Sequence, residues 1–192
     1  SKLFQSELIQ YGVAPEFSCL KQSPVDFHFI DSVTIEHRAK EVDRKLVSCG
    51  RLIKTKGFDL LIEAFARLKG ERALELEIIG RGPLDEELRE MSHRFALESQ
   101  VCFVGEKDHP YVVNSIANAD VFILCSRTAS NGDREGIPNV IKEAMALKTV
   151  VVASDHSGIP ELIEDGVTGF LFKEDSVDSL TEVLRKVLVL SP

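Results

Sequence analysis

The sequence has no tryptophan and lacks several motifs of familiar enzyme classes. It contains no D-x-D pair, no H-E-x-x-H and no G-x-S-x-G, so it predicts no obvious carboxylate metal site and no serine-hydrolase nucleophile. No apolar run approaches the roughly 18 residues needed to cross a bilayer. Residues 1–12 also lack the apolar core of a signal peptide. We therefore expect a soluble chain that does not insert into a membrane.

Positive charge is scarce as well. Lysine and arginine number 23 against 31 acidic residues, which leaves a net charge of -8 and a pI of about 5.2. A chain of this charge is not expected to bind nucleic acid, or to lie on an anionic membrane, through bulk electrostatics. A local basic site remains open.

The four cysteines form no C-x-x-C pair, and three of them lie in apolar, strand-like runs. This pattern favours reduced core residues of a cytosolic protein over zinc ligands or disulfides. The residues are Cys19, Cys49, Cys102 and Cys125.

From residue 45 the chain alternates short apolar runs with longer amphipathic ones, six times over. Such alternation predicts an α/β fold: a Rossmann-like three-layer sandwich with about six parallel strands and helices on both faces. We assign residues 45–192 to this domain. Residues 1–44 are interpreted as a lead-in or linker from a preceding N-terminal domain, with a helix that ends at Gly12 followed by an irregular stretch. The predicted strands are 45–50, 74–80, 101–105, 120–126, 149–154 and 169–172. The predicted helices are 58–69, 83–97, 110–118, 138–147 and 176–189, the last capped by Asp175 or Ser176.

Sheets of this kind bind ligands at the carboxyl ends of their strands, so the turns after the strands carry the candidate sites. After the first strand, Arg51 and Lys56 lie close to a helix start and predict an anion site. The alternative is a solvated basic turn. After the second strand, Gly80 and Gly82 would let the backbone approach a ligand, or simply form a tight turn. Asp85 stands where the dinucleotide fingerprint has its third glycine, so that motif is absent.

After the fourth strand, a long polar loop leads into "REGIPNVIKEAMA", residues 134–146. The backbone of residues 136–139 would present amide groups at a helix start, where they could hold a phosphate. Glu135 precedes this helix, and the helical period turns Glu143 partly inward, where sugar hydroxyls could be its partners. The alternatives are a helix-terminal charge for Glu135 and a surface position for Glu143. His156, after the fifth strand, is interpreted as an exposed loop histidine, with a ligand contact as the alternative.

Five motifs now occur together in a fixed order: "GRLIKTKGFDLLIEAFARL", "LEIIGRGPLDEEL", "VCFVG", "EGIPNVIKEAMA" and "SGIPELIEDGVTGFL". Over residues 45–190 the chain resembles the C-terminal, donor-binding domain of retaining GT-B glycosyltransferases of the family 4 type. The variant "GDREGIP" is most similar to enzymes that build bacterial exopolysaccharide or lipopolysaccharide.

The resemblance implies a role for each candidate residue. Arg51 and Lys56 would bind the donor diphosphate, Glu135 would face the donor sugar, and Glu143 would hold the ribose hydroxyls. Arg51, Lys56 and Glu135 are thus the implied catalytic group, with Glu135 in a binding role rather than as a covalent nucleophile. The other implied donor contacts are Gly136, Ile137, Pro138 and Asn139 at the phosphates or sugar, and Gly80, Gly82, Val104 and Glu106 near the base.

The implied activity is that of a hexosyltransferase. It would move sugar from a nucleoside-diphosphate sugar to a glycan or lipid-linked acceptor without a metal cofactor. The acceptor site would lie on an N-terminal domain, so we expect this chain to bind donor but to be inactive alone. We expect the full-length protein to be cytoplasmic, with a peripheral position at the inner face of the membrane left open. The alternatives are a noncatalytic nucleotide-sugar-binding module and another GT-B enzyme, such as a sugar-nucleotide epimerase or a phosphorylase.

Three positions depart from the family pattern. Lys148 and Val150 stand where glycine and proline are common, and Ser157 stands where a second glycine is common. We therefore expect the turn into the fifth strand to differ from the family's.

Overall fold

The structure is a computed structural model that describes residues 10, 43–70, 73–129, 132–134 and 136–190. Its centre is a six-stranded sheet in which every pairing is parallel, as predicted. The strands are β1 Arg44–Cys49, β2 Leu74–Ile79, β3 Val101–Gly105, β4 Val121–Leu124, β5 Val150–Asp155 and β6 Phe170–Lys173. Apart from Gln10, the predicted lead-in up to residue 42 lies outside the described residues, Cys19 included.

Five α-helices connect and follow the strands, also as predicted. They are α1 Phe58–Ala66, α2 Asp85–Arg94, α3 His109–Ala117, α4 Asn139–Ala146 and α5 Val177–Leu190. Two short 3₁₀ helices, Lys54–Lys56 and Ile159–Glu161, were not predicted. The predicted capping of α5 is confirmed for Ser176, whose Oγ accepts from the backbone N–H of Ser179 at 3.3 Å.

The strand order is β3-β2-β1-β4-β5-β6, so the sheet grows outward in both directions from the β1–β4 pair. Crossovers between parallel strands are right-handed. Because the chain steps one way from β1 to β3 and the other way from β3 to β6, the connecting helices fall on opposite faces. The carboxyl ends of β1 and β4 therefore form the topological switch point, where such sheets bind ligands.

Each face of the sheet has its own apolar core. Phe58 and Phe65 of α1 pack on one face together with Leu184 of α5, whereas Ile116 of α3 and Ile141 of α4 pack on the other. Burial of a side chain of this size contributes about 1.5–3 kcal/mol. The two cores explain why the central strands are apolar at consecutive positions.

The cysteine prediction is only partly correct. Cys49 and Cys125 are buried and free, as expected, but Cys102 is exposed. Cys102 lies on β3, which is an edge strand of the described sheet. None of the described helices is both long enough and apolar enough to cross a bilayer.

Candidate functional site

A cleft of about 560 Å³ lies at the carboxyl edge of the sheet. Its walls come from the turns after β1, β2 and β3, which are neighbours because these strands are adjacent in the sheet. Three cations, Arg51, Arg81 and Lys107, line the cleft against one carboxylate, Glu106. In a chain with a net charge of -8, this local excess of positive charge favours an anionic ligand.

The glycines of this cleft are required by the packing of the protein itself. A Cβ on Gly80 would lie 1.9 Å from the carbonyl oxygen of Gly50, and a Cβ on Gly82 would lie 2.3 Å from that of Leu52. The turns after β1 and β2 also extend the hydrogen bonding between these two strands, since Gly50 N–H donates to Ile79 O at 2.9 Å. The tight-turn interpretation is therefore sufficient to explain both glycines, although Gly80 and Gly82 still line the cleft.

Lys56 ends the first 3₁₀ helix, and its side chain folds back toward the cleft. A Cβ on Gly50 would lie 3.3 Å from Lys56 Cε and 3.7 Å from its Nζ, so the ammonium lies beside a cleft-lining residue. Burial raises the pKa of the neighbouring Cys49 thiol to about 12, with Lys56 opposing the shift and Glu143 adding to it. The charges of Lys56 and Glu143 thus both influence the thiol of Cys49, the last residue of β1, although 87 positions separate the two residues in the sequence.

A second cleft of about 380 Å³ lies beside the start of α4. The turn after β1 is shared by the two clefts: it contributes Arg51 to the first, and Ile53 and Thr55 to the second. The predicted contacts Gly136, Ile137 and Pro138 all line this second cleft, together with Asp133 and Arg134. Glu135, the predicted sugar contact, lies outside the described residues.

The start of α4 is left without a side-chain cap. Pro138 precedes the helix with extended backbone angles (φ -67°, ψ 131°) and provides no capping hydrogen bond. Within the described residues, the N-cap therefore supplies no side-chain acceptor to the amides of Asn139 and Val140 in the first turn. Such a helix start attracts anions through its free N–H groups and its dipole.

Glu143 lies in the middle of α4 and points partly inward, as predicted. Its side chain is 19% exposed, and its Oε1 lies 3.0 Å from Nε2 of His109. Sequence analysis missed His109. It could have been found from the rule that ligands bind at the carboxyl ends of the strands, because His109 begins α3 directly after the turn that follows β3.

Arg127, just beyond β4, was also missed, although it makes the densest set of polar contacts described near the clefts. Its guanidinium donates to Lys54 O at 2.8 Å, to both carboxylate oxygens of Asp59 at 2.9 and 2.7 Å, and to Asp175 at 2.8 Å. Burial alone would lower the pKa of Arg127, but the hydrogen bonds to Asp59 and Asp175 outweigh it and raise the pKa. Arg127 thereby ties the turn that carries Lys56 to the beginning of the long loop.

The interpretation of His156 as an exposed loop histidine was wrong. Its residue surface is 2% exposed, and its Nδ1 lies 3.1 Å from the Glu174 carboxylate. Burial tends to raise the pKa of Glu174, but the Thr128 N–H at 2.6 Å and the nearby His156 lower it below its usual value. Glu174 thus holds the start of the loop at Thr128, next to the contact between Arg127 and Asp175.

The remaining predicted positions are distributed as follows. Glu106 lines the first cleft, whereas Val104 is half-buried and packs against the second core. Lys148 and Ser157, the departures from the family pattern, have φ values of 61° and 51°. Both therefore adopt the left-handed backbone conformation that glycine favours.

Within the described ranges, no group of three or more histidine, cysteine, aspartate or glutamate side chains is placed to hold a metal ion.

Comparison with known proteins identifies the family. Residues 31–191 match the profile of the family described as Glycosyl transferases group 1. The chain is 40% identical over 144 residues to the amylovoran biosynthesis glycosyltransferase AmsK of Erwinia amylovora, covering 74% of this chain and 35% of that protein. It is 33% identical over 184 residues to a Campylobacter jejuni protein, covering 95% of this chain and 47% of that one. That protein is named N-acetylgalactosamine-N,N'-diacetylbacillosaminyl-diphospho-undecaprenol 4-alpha-N-acetylgalactosaminyltransferase. The chain thus spans less than half the length of these curated relatives.

Among solved structures, the fold matches Anabaena Alr3699/HepE in complex with UDP with a TM-score of 0.80. The identity is 24%, and the match covers 98% of this chain and 52% of that one, so this likeness concerns the fold. The predicted fold and the predicted resemblance to glycosyltransferases of bacterial polysaccharide biosynthesis are confirmed. This chain belongs to the glycosyl transferases group 1 family.

Proposed function

We propose that this chain is the donor-binding domain of a retaining glycosyltransferase that transfers a hexose from a nucleoside-diphosphate sugar. The observation that carries the proposal is the convergence of cations and an uncapped helix start on one sheet edge. Arg51 lines the first cleft, Lys56 lies beside it, and the start of α4 opens on the second cleft. These features suit a diphosphate that spans the turn shared by the two clefts.

The proposed chemistry follows from the charge that develops on the leaving group. As the glycosidic bond breaks, negative charge accumulates on the diphosphate. Arg51, Lys56 and the amides at the start of α4 stabilise it with groups already held in place. The proposal assigns this neutralisation to the protein and requires no metal ion. Glu135 binds the sugar, Glu143 binds the ribose, and Glu106 borders the base.

The acceptor half of the reaction is assigned to a further domain. The chain spans less than half of its curated relatives, and one of these is named for a diphospho-undecaprenol substrate. We propose that the complete protein acts in the cytoplasm on a glycan or lipid-linked acceptor, peripherally at the membrane where the acceptor is lipid-linked. This chain alone binds donor without transferring sugar.

Calorimetric titration of the chain with UDP, GDP and ADP, each with and without EDTA, tests the proposal. We expect selective binding of one nucleotide that EDTA does not change. Arg51→Ala and Glu143→Ala should each lose about 1.5–3 kcal/mol of binding, the range for hydrogen bonds to charged groups. Arg94→Ala is the matched control, because Arg94 is an exposed arginine at the far end of α2.

The outcomes separate the parts of the proposal. Equal losses in Arg51→Ala and Arg94→Ala would mean that Arg51 acts only through general charge. The absence of binding by all three nucleotides at millimolar concentration would overturn donor binding by this chain. The anomeric configuration of a product made by the complete protein, read by NMR, tests retention.

A further inference from the structure

We infer that His109 is a positioning residue that orients Glu143 for recognition of the donor ribose, an inference that rests on the proposed function. The nearest atoms are His109 Nε2 and Glu143 Oε1, 3.0 Å apart. An ionised carboxylate only accepts hydrogen bonds, so Nε2 carries the proton in this pair. Neither the family motifs nor the sequence spacing assigns a role to His109.

The local structure holds His109 firmly at this place. His109 is the first residue of α3, and Asp108 caps the helix by accepting from the Tyr111 N–H at 3.0 Å. Pro110 follows within the first turn, where its fixed φ suits a helix start. The backbone that carries the imidazole is therefore rigid, which makes it a suitable anchor for a side chain on another helix.

The pairing leaves one oxygen of Glu143 for a ligand. His109 occupies Oε1, and in the described part of the chain no hydrogen bond to Oε2 is present. A ribose hydroxyl can donate to Oε2 while Oε1 stays fixed. Because Glu143 is already held, ordering its side chain costs less when the nucleotide binds.

The exposure of the two side chains indicates that the pair matters for binding more than for folding. His109 is 55% exposed, whereas Glu143 is 19% exposed. Ion pairs with one side in solvent contribute little to stability. Loss of the imidazole should therefore leave the fold intact but let the Glu143 carboxylate rotate, which keeps a test by substitution free of unfolding.

The test compares a nucleoside diphosphate with its 2′,3′-dideoxy analogue, using whichever of UDP, GDP and ADP binds the chain. The variants are His109→Ala, His109→Gln and Glu143→Ala. His93→Ala is the matched control, because His93 is an exposed histidine near a glutamate (Glu98) at the far end of α2. We expect His109→Ala to weaken binding of the nucleoside diphosphate about 3- to 10-fold, the loss expected when one side chain must be ordered anew. Binding of the dideoxy analogue should change less than about 2-fold, since it lacks the hydroxyls that Glu143 would read.

Two further results support the inference. His109→Gln, whose amide N–H can replace the imidazole donor, should recover part of the loss. Adding His109→Ala to Glu143→Ala should cause no further loss, because the imidazole acts through the carboxylate. Equal weakening of both ligands in His109→Ala would overturn the inference, since a role in ribose recognition predicts a difference.

The result for Glu143→Ala distinguishes this inference from the proposed function. If Glu143→Ala weakens only the ligand that has both hydroxyls and His109→Ala weakens neither, the ribose assignment stands and the inference about His109 fails. If Glu143→Ala affects neither ligand, the ribose assignment in the proposed function fails, and the inference fails with it.

Discussion

Replacement of Gly80 by alanine should cost far more stability than an ordinary glycine substitution. Gly80 has φ +145°, and an added Cβ would lie 1.9 Å from the Gly50 carbonyl oxygen and 2.9 Å from its carbon. Both atoms belong to the backbone, so no side chain can swing aside. Relief of the overlap requires the turns after β1 and β2 to separate by more than about 1 Å.

The cost can be estimated from what that separation breaks. The Gly50 N–H to Ile79 O bond and the Gly80 N–H to Gly105 O bond, both 2.9 Å, hold the ends of three strands together. Each contributes about 1 kcal/mol, and the unfavourable φ adds about 1–2 kcal/mol for a residue with a Cβ. We expect Gly80→Ala to lower the free energy of unfolding by about 3–4 kcal/mol, a large share of a typical total of 5–15 kcal/mol.

Urea unfolding followed by circular dichroism measures this loss, with Gly70→Ala as the control. Gly70 also has a positive φ, +87°, but an added Cβ would meet nothing within 4 Å. The control therefore carries the conformational cost without the collision and should lose about 1–2 kcal/mol. If Gly80→Ala lost no more than Gly70→Ala, the argument that packing requires this glycine would be refuted.

Three other predictions follow from single residues. Ser157→Gly should raise the free energy of unfolding by about 1 kcal/mol, because Ser157 has φ 51° and a buried Oγ without a partner in the described structure. Urea unfolding measures this gain, and a loss of stability would contradict the account. Cys102, which is exposed, should react with a thiol reagent well before Cys49, because burial raises the pKa of the Cys49 thiol to about 12. Peptide mapping by mass spectrometry would show the order of labelling, and labelling of Cys49 first would contradict the prediction. Glu174→Gln should cost about 1 kcal/mol at neutral pH. The folded-state pKa of Glu174 is lowered, so its carboxylate contributes stability above the unfolded pKa and loses it as pH falls through the folded pKa. The variant should therefore lose less stability than the wild type in urea unfolding between pH 6 and pH 3, and an unchanged pH profile would contradict the prediction.

The elements of the fold were predictable because their signals are local. Runs such as "DVFILCS" and "TVVVAS" are apolar at consecutive positions, which indicates strands buried on both faces. The helix boundaries were less accurate: α2 ends at Arg94 rather than at residue 97, since Ala96 turns the chain with φ 51°. The 3₁₀ helix Lys54–Lys56 was missed, because three residues carry no periodic signal.

Part of the candidate site was predictable for a different reason. In a parallel sheet every strand ends at the same edge, so the sequence predicts that Arg51, Gly80 and Glu106, which follow three of the strands, lie near one another. The structure places all three on one cleft. The same rule applied to every residue after β3 would also have selected Lys107 and His109.

What the sequence alone determined is therefore the type and order of the elements, the edge that holds the candidate site, and the family. The tertiary structure decided which side chains meet: Glu143 with His109, 34 positions away, and Arg127 with Lys54, 73 positions away. It also decided that His156 is buried. The physical reason is that periodicity reports which face of an element is apolar, whereas contacts across the switch point depend on strand order and on backbone positions that no local pattern records.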